Sequence, residues 1–389
     1  MVGARAAIPQ FPEAITNQTY MKSALIIGGG FAGCAAAHQL ALQGGWEVTL
    51  VESAPVLGAG VRTKWYGGHP YTFGPRHFLT RDERLFEFLN RYVPLRRLKH
   101  VFLTYIERDG QFYNFPIHVD DIERMPDRDQ IKQELAEVKP GQSATNLEEY
   151  WLGSVGPTLY DKFAKHYNHK MWLIDDNRLL DDAVPAWTSK GALVYEGPRE
   201  GFHDAISAYP HAPNGYDDYF ELATHQAQVL LSTMIEQYDI PNKRVKLSGQ
   251  WREFDVIIST VSPDTLFERC FGELKFIGLD FHPFVLPMEQ CFPDDVFFLY
   301  YSGREKFKRL VEYKKFTGHK APTTLIGIEF PSMNGRHYAV PMSSERSKAD
   351  RYIGLMPQNV FSIGRAGSYR YIDIDDCIAQ AMEVAEKLK

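Results

Sequence analysis

Apolar and polar positions along this chain sort into runs that place a nucleotide-binding unit near its start. Ala24-Leu25-Ile26-Ile27 is an unbroken apolar run of strand length, the pattern of a strand covered on both faces. It leads into Gly28-Gly29-Gly30-Phe31-Ala32-Gly33, and the Ala-rich stretch Cys34–Leu42 favours helix. A second apolar run, Val48-Thr49-Leu50-Val51, ends at Glu52. Within 82–93, Leu85, Phe88, Leu89 and Tyr92 share one helical face, and Asp82 is placed to cap that helix. The runs 102–106 and 112–115 flank Asp109-Gly110, a hairpin signal. From 128 to 183 the pattern is mainly helical; Pro140-Gly141 interrupts it, and Asn146 caps a new amphipathic helix. Val256–Thr260 is a further strand of the buried type, 296–301 and 324–330 read as sheet strands, and 377–388 closes the chain as an amphipathic helix. No internal repeat or low-complexity tract interrupts this order.

The glycines carry the first chemistry. Gly28 permits the tight turn after the strand, Gly30 lets a pyrophosphate approach the helix N-terminus, and Gly33 lets helix and strand pack closely. Glu52 stands where an acid accepts hydrogen bonds from the two ribose hydroxyls. A second glycine pair, Gly58 and Gly60, followed by Val61 and Arg62, resembles the cluster that wraps the pyrophosphate in FAD proteins of the glutathione-reductase-like superfamily. FAD is therefore favoured over NAD. The expected fold class is α/β, of mixed α+β character. An FAD-binding Rossmann-like domain is assembled from 21–92, 218–270 and 343–389. A helical insert covers 120–180, and an antiparallel β-sheet domain for substrate is built from 93–119, 181–217 and 271–342. Residues 1–20 lack an apolar segment of signal-peptide length and read as an extension ahead of Met21.

Composition narrows the partners. The 389 residues carry 43 Lys and Arg against 49 Asp and Glu, a formal charge of −6. That balance disfavours a nucleic-acid coat or a polybasic membrane binder, while leaving room for a local basic pocket. No apolar run is long enough to span a membrane. Cys34, Cys270, Cys291 and Cys377 are too scattered for a disulfide framework or a zinc site, so no metal is expected, and a cytoplasmic location is.

The closing segment changes the reading from a flavoprotein to a particular kind of one. Gly364-Arg365-Ala366-Gly367-Ser368-Tyr369-Arg370-Tyr371-Ile372-Asp373-Ile374-Asp375 closely resembles the terminal motif of the UDP-galactopyranose mutase family. Similar matches occur in the family's order at Asn114-Phe115-Pro116-Ile117, Asn146-Leu147-Glu148-Glu149, Tyr167–Trp172, Arg309–Phe316 and Tyr338-Ala339-Val340-Pro341. The resemblance implies an isomerase that interconverts pyranose and furanose forms of an NDP-hexose, with N5 of reduced FAD as the nucleophile toward the anomeric carbon. NAD(P)H is the implied external reductant and a homodimer the implied assembly. It assigns Arg309, Arg365, Tyr338 and Tyr371 to the leaving diphosphate, as fixed cations and phenol donors. Asn114, Phe115, Tyr167 and Trp172 complete the substrate set. It adds Phe31, Ala32, Arg76, His77, Val229, Gly364, Arg365, Asp373 and Ile374 to the FAD contacts.

Two stretches depart from the family. In Phe73-Gly74-Pro75-Arg76-His77-Phe78-Leu79-Thr80 the second flavin-facing histidine is replaced by Leu79, and the first is Arg76 or, after a slip of one residue, His77. In Val184-Pro185-Ala186-Trp187-Thr188 a lid arginine is missing; Lys190 or Arg76 would have to supply its charge. Both losses point to a sugar nucleotide other than UDP-galactose, such as UDP-N-acetylgalactosamine, a dTDP-6-deoxysugar or a GDP-sugar. The competing readings are an amine-oxidase-like FAD oxidoreductase and a non-catalytic sugar-nucleotide-binding relative.

Overall fold

The computed structural model describes residues 21–139, 143–188, 192–201 and 204–389. The proposed extension at 1–20, the Pro140-Gly141 break and Lys190 lie outside them. Strand β1 (Lys22–Ile27) sits at the centre of a five-stranded, all-parallel sheet. Strand β2 (Trp46–Val51) pairs on one side of it and Val256–Ser259 on the other, with Gln228–Leu230 and Val360–Ser362 at the edges. The unbroken apolar run of β1 is explained by this position, since Ala24, Leu25 and Ile26 are fully buried. Helix α1 (Phe31–Gln43) crosses between β1 and β2 and packs against the closing helix Ile374–Lys387. Its small residues Cys34, Ala35, Ala36 and Ala37 are all buried, which lets the helix lie close to the sheet.

A seven-stranded sheet forms the second layer, running in space from Tyr338–Ala339 through Phe276–Leu286, Thr324–Ser332, Arg309–Glu312, Val296–Tyr301 and Val101–Ile106 to Gln111–Asn114. The antiparallel expectation holds at every junction but one. Val296–Tyr301 runs parallel to Val101–Ile106, because the chain leaves this sheet for the helices between 119 and 188 and for two strands of the five-stranded sheet before returning alongside its own earlier strand. The Asp109-Gly110 hairpin forms as expected, with Gly110 at φ +62°. The helices between 119 and 188 pack an apolar cluster around Ile131, Trp151, Val155, Leu159 and Met171 that continues into the sheet at Ile106, Tyr113 and Ile277. Asn146 caps its helix through a hydrogen bond accepted from the Glu149 amide at 3.0 Å. No helix among the described residues is long and apolar enough to cross a membrane.

Candidate functional site

Two cavities of about 730 and 710 Å³ lie side by side and share part of their walls. The larger begins at the glycine turn. Gly28 has φ +97°, and a Cβ at Gly33 would stand 2.0 Å from the Gly28 carbonyl oxygen, so both glycines are required sterically. Gly30 caps α1 with no side-chain hydrogen bond and no acid in the first turn. That leaves the first amides and the positive helix end facing the cavity, as a pyrophosphate needs. Glu52 accepts from the Gly29 amide at 2.6 Å through one oxygen and from the Ala54 amide at 2.7 Å through the other. Its carboxylate is thereby fixed with lone pairs left for ribose hydroxyls.

Phe31, Ala32, Gly60, Val61, Arg76 and His77 also line this cavity, as do Leu79, Gly364, Arg365, Asp373 and Ile374. Three of the expected cofactor residues act one step back, the first being Gly33, whose part is the close packing of α1 on the turn. Gly58, at φ +98°, shapes the turn against the Phe220 ring. Val229 pairs with Leu50 at the sheet edge, and Thr233, Met234 and Ile235 line that side instead. His77 is not available as an acid: burial pushes its pKa down to about 4, and Asp373 only partly offsets this. Neither ring nitrogen has a hydrogen-bond partner among the described residues. The open amides of α1, the fixed Glu52 and the orphaned His77 nitrogens at the cavity wall together fit FAD.

The second cavity lies between the seven-stranded sheet and the helical insert. Of the residues expected at the substrate, Phe115, Tyr167, Trp172, Arg309 and Tyr371 line it. Tyr300, Arg309, Tyr371 and Ile372 line both cavities, so the junction between them is where two bound molecules would touch. Asn114 lines neither, because its amide is held by Arg199 and its backbone N–H donates to Asp121 at 2.6 Å. Arg365 and Tyr338 line only the dinucleotide cavity. The Arg365 guanidinium is committed to the Ile372 carbonyl at 2.6 and 2.8 Å and to Asp373 at 3.1 Å. It therefore secures the closing loop beneath Tyr371 rather than standing in the second cavity.

Sequence reading missed the acid that organises the junction. Glu329, fully buried on the strand Thr324–Ser332, binds Arg309 through both oxygens at 2.7 to 3.1 Å. Burial works against both charges, but each outweighs it for the other: Arg309 is held well above and Glu329 below its ordinary value. Lys308, also buried, approaches Glu329 at 3.5 Å and lies 4.7 Å over the Tyr338 ring. Tyr338 stacks on Tyr371 with centroids 5.5 Å apart. Burial alone would raise the Tyr338 phenol; Lys308, Arg76 and Arg309 reverse this and bring it down to about 8. The one signal for Glu329 was a single acid inside the apolar run Ile328-Glu329-Phe330.

The family model described as UDP-galactopyranose mutase matches residues 162–371, more than half of the chain. The chain belongs to the UDP-galactopyranose mutase family. A separate model, an NAD(P)-binding Rossmann-like domain, matches residues 26–92. Among curated relatives, dTDP-fucopyranose mutase of Escherichia coli is 26% identical over 94% of this chain and 98% of its own length. UDP-galactopyranose mutase of Mycoplasma pneumoniae is 22% identical over 94% and 95%. A crystal structure of reduced UDP-galactopyranose mutase superposes with a TM-score of 0.80 at 16% identity, over 95% of this chain and 94% of that one. Putrescine oxidase bound to putrescine also shares the fold, with a TM-score of 0.56 at 12% identity over 95% and 99%. Fold alone thus does not separate mutase from oxidase; the matched family does. As a member of that mutase family the chain is an isomerase of sugar nucleotides, and FAD is the cofactor that family and fold call for.

Proposed function

We propose that this mutase interconverts the pyranose and furanose forms of an NDP-hexose other than UDP-galactose. The observation that carries the reading is the junction of the two cavities at Tyr300, Arg309 and Tyr371. A dinucleotide in one cavity and a sugar nucleotide in the other would meet there and nowhere else among the described residues. When bound and reduced, FAD supplies the nucleophile for the anomeric carbon. The chain's own residues do the rest. Arg309, held rigid and charged by Glu329, offers its remaining donor surface to the diphosphate as negative charge develops on it. Tyr371 and Trp172, 6.4 Å apart, wall the sugar against the junction and exclude water. Tyr338, behind Tyr371, keeps a phenol whose acidity is set by the surrounding cations.

An altered substrate is supported by the two departures from the family. Leu79 stands in the dinucleotide cavity where the family has a histidine. Trp187 stands in the second cavity where the family has a lid arginine, edge-on to Trp151 at 5.5 Å. UDP-N-acetylgalactosamine, a dTDP-6-deoxysugar and a GDP-sugar are the candidates. NAD(P)H as external reductant, a homodimer and a cytoplasmic location belong to the same proposal, carried by the family resemblance. The test is direct. Yellow protein, bleached with dithionite, is incubated with a panel of pyranose sugar nucleotides, and isomers are separated by chromatography. A furanose product from one of these substrates is expected; no isomer from any of them rejects the mutase reading.

A further inference from the structure

Lys308 is a buried ammonium with too few acceptors. Its side chain is 3% exposed and lines the second cavity but not the dinucleotide cavity. An ammonium has three protons to donate. Among the described residues, Nζ meets the Met171 thioether at 3.4 Å, a weak acceptor, and Glu329 at 3.5 Å, a long contact. The same Glu329 already gives both of its oxygens to Arg309 at 2.7 to 3.1 Å. One carboxylate therefore faces two buried cations, and the cavity wall keeps a net positive charge. A buried charge left in this state is costly unless a ligand completes it.

Three other cations near the junction are placed differently. Arg76 lines only the dinucleotide cavity and donates to the Phe73 carbonyl at 3.0 Å. Arg365 is spent on Ile372 and Asp373. Arg346, in the second cavity, is spent on Asp182 at 3.3 Å and the Ser368 carbonyl at 3.1 Å. Lys308 and Arg309 are adjacent in the chain and share Glu329 as their anchor, so they present two positive groups to one face of the second cavity.

We infer that Lys308 is a catalytic residue that contacts the diphosphate of the sugar nucleotide beside Arg309, making good the cation missing at Trp187. This rests on the reading that a nucleoside diphosphate leaves into this cavity. In that step the bond between the anomeric carbon and the diphosphate oxygen breaks, and its electron pair leaves on the oxygen. Lys308 remains an ammonium throughout and donates a hydrogen bond to the growing negative charge; no proton is transferred. On the return step the same contact holds the diphosphate close to the anomeric carbon.

The test uses the FAD-bound protein and Lys308→Met, with Lys308→Arg as the charge-keeping control. UDP, dTDP and GDP, with the matching nucleosides, are titrated calorimetrically, and bound flavin is read from its visible absorbance. The expected result is a loss of diphosphate affinity of roughly 30-fold or more in Lys308→Met, the scale for truncating one member of a buried charge contact. Nucleoside affinity and flavin content should stay unchanged, and Lys308→Arg should recover most of the loss. Diphosphate affinity within twofold of the parent in flavin-loaded Lys308→Met overturns the inference while leaving the mutase reading intact. Should Lys308→Met lose its flavin or fail to fold, Lys308→Arg and Lys308→Gln decide, since equal diphosphate affinity in those two also overturns it. A parent protein that binds no nucleoside diphosphate removes the mutase reading and this inference together.

Discussion

At the scale of single residues, charge placement around Glu329 decides both stability and pH response. Glu329 has no water to fall back on and holds the Arg309 fork, so Glu329→Gln leaves two buried cations without an anion. Breaking a buried pair in this way costs about 3–5 kcal/mol. Urea denaturation of the variant should show that loss; a midpoint unchanged from the parent would show that the pair is solvated. The same charges set the Tyr338 phenol at about 8, against the pull of burial. If the neutral phenol supports Tyr371 at the junction, turnover has an alkaline limb near pH 8, falling as the proton is lost. Removing the charge at Lys308 raises that pKa, so Lys308→Met should move the limb to higher pH in whatever activity it keeps. A limb that stays in place would take Tyr338 out of the profile. Arg309 was legible in the sequence because it sits in a motif with neighbours that match. Lys308 and Glu329 were not, because their meaning comes from pairing between strands 20 residues apart.

Elements that make their own local case were read well, and those that depend on distant partners were not. The β1 turn, α1 and β2 follow from an apolar run, three glycines and an acid in sequence, each constrained by neighbours only a few residues away. The helix Glu83–Tyr92 formed with its Asp82 cap, although Phe86, outside the expected face, is among its two most buried residues. By contrast, the 11-residue strand Phe276–Leu286 had no clear alternation, because its register is set by Thr324–Ser332 across the sheet. The parallel pairing of Val101–Ile106 with Val296–Tyr301 joins segments nearly 200 residues apart, and no local pattern encodes that direction. The strength of the local case around α1 gives a sharp prediction. In Gly33→Ala the new methyl meets the Gly28 carbonyl, a backbone atom that cannot swing aside. The helix must then shift off the phosphate turn, and purified protein should carry little FAD, measured as the ratio of visible to ultraviolet absorbance. A flavin ratio equal to the parent's would show that α1 tolerates the shift.

Across the whole molecule, three histidines have little means of accepting a proton. His100 is buried against Phe102, Phe297 and Phe298 with no partner for either ring nitrogen, and burial pushes its pKa down to about 2. His77, 5.3 Å from it, is pushed down to about 4, and so is His38 on the buried face of α1. All three folded values lie below the ordinary value of 6.5, so over the interval between them only the unfolded chain takes up the proton. Stability is therefore complete above about pH 6.5 and falls as the pH drops through that window, by about 1.4 kcal/mol per pH unit for each histidine. The aromatic setting of His100 offers a clean way to remove one share of that slope. His100→Phe fills a similar volume among three phenylalanine rings and has no site for a proton. Plotting the free energy of urea unfolding against pH from 7 to 4.5 should give a shallower acid limb for His100→Phe than for the parent. The difference should be about one proton's worth, which is about 1.4 kcal/mol per pH unit. Parallel limbs in the two proteins would mean that His100 takes up its proton inside the fold, and would place the acid sensitivity elsewhere.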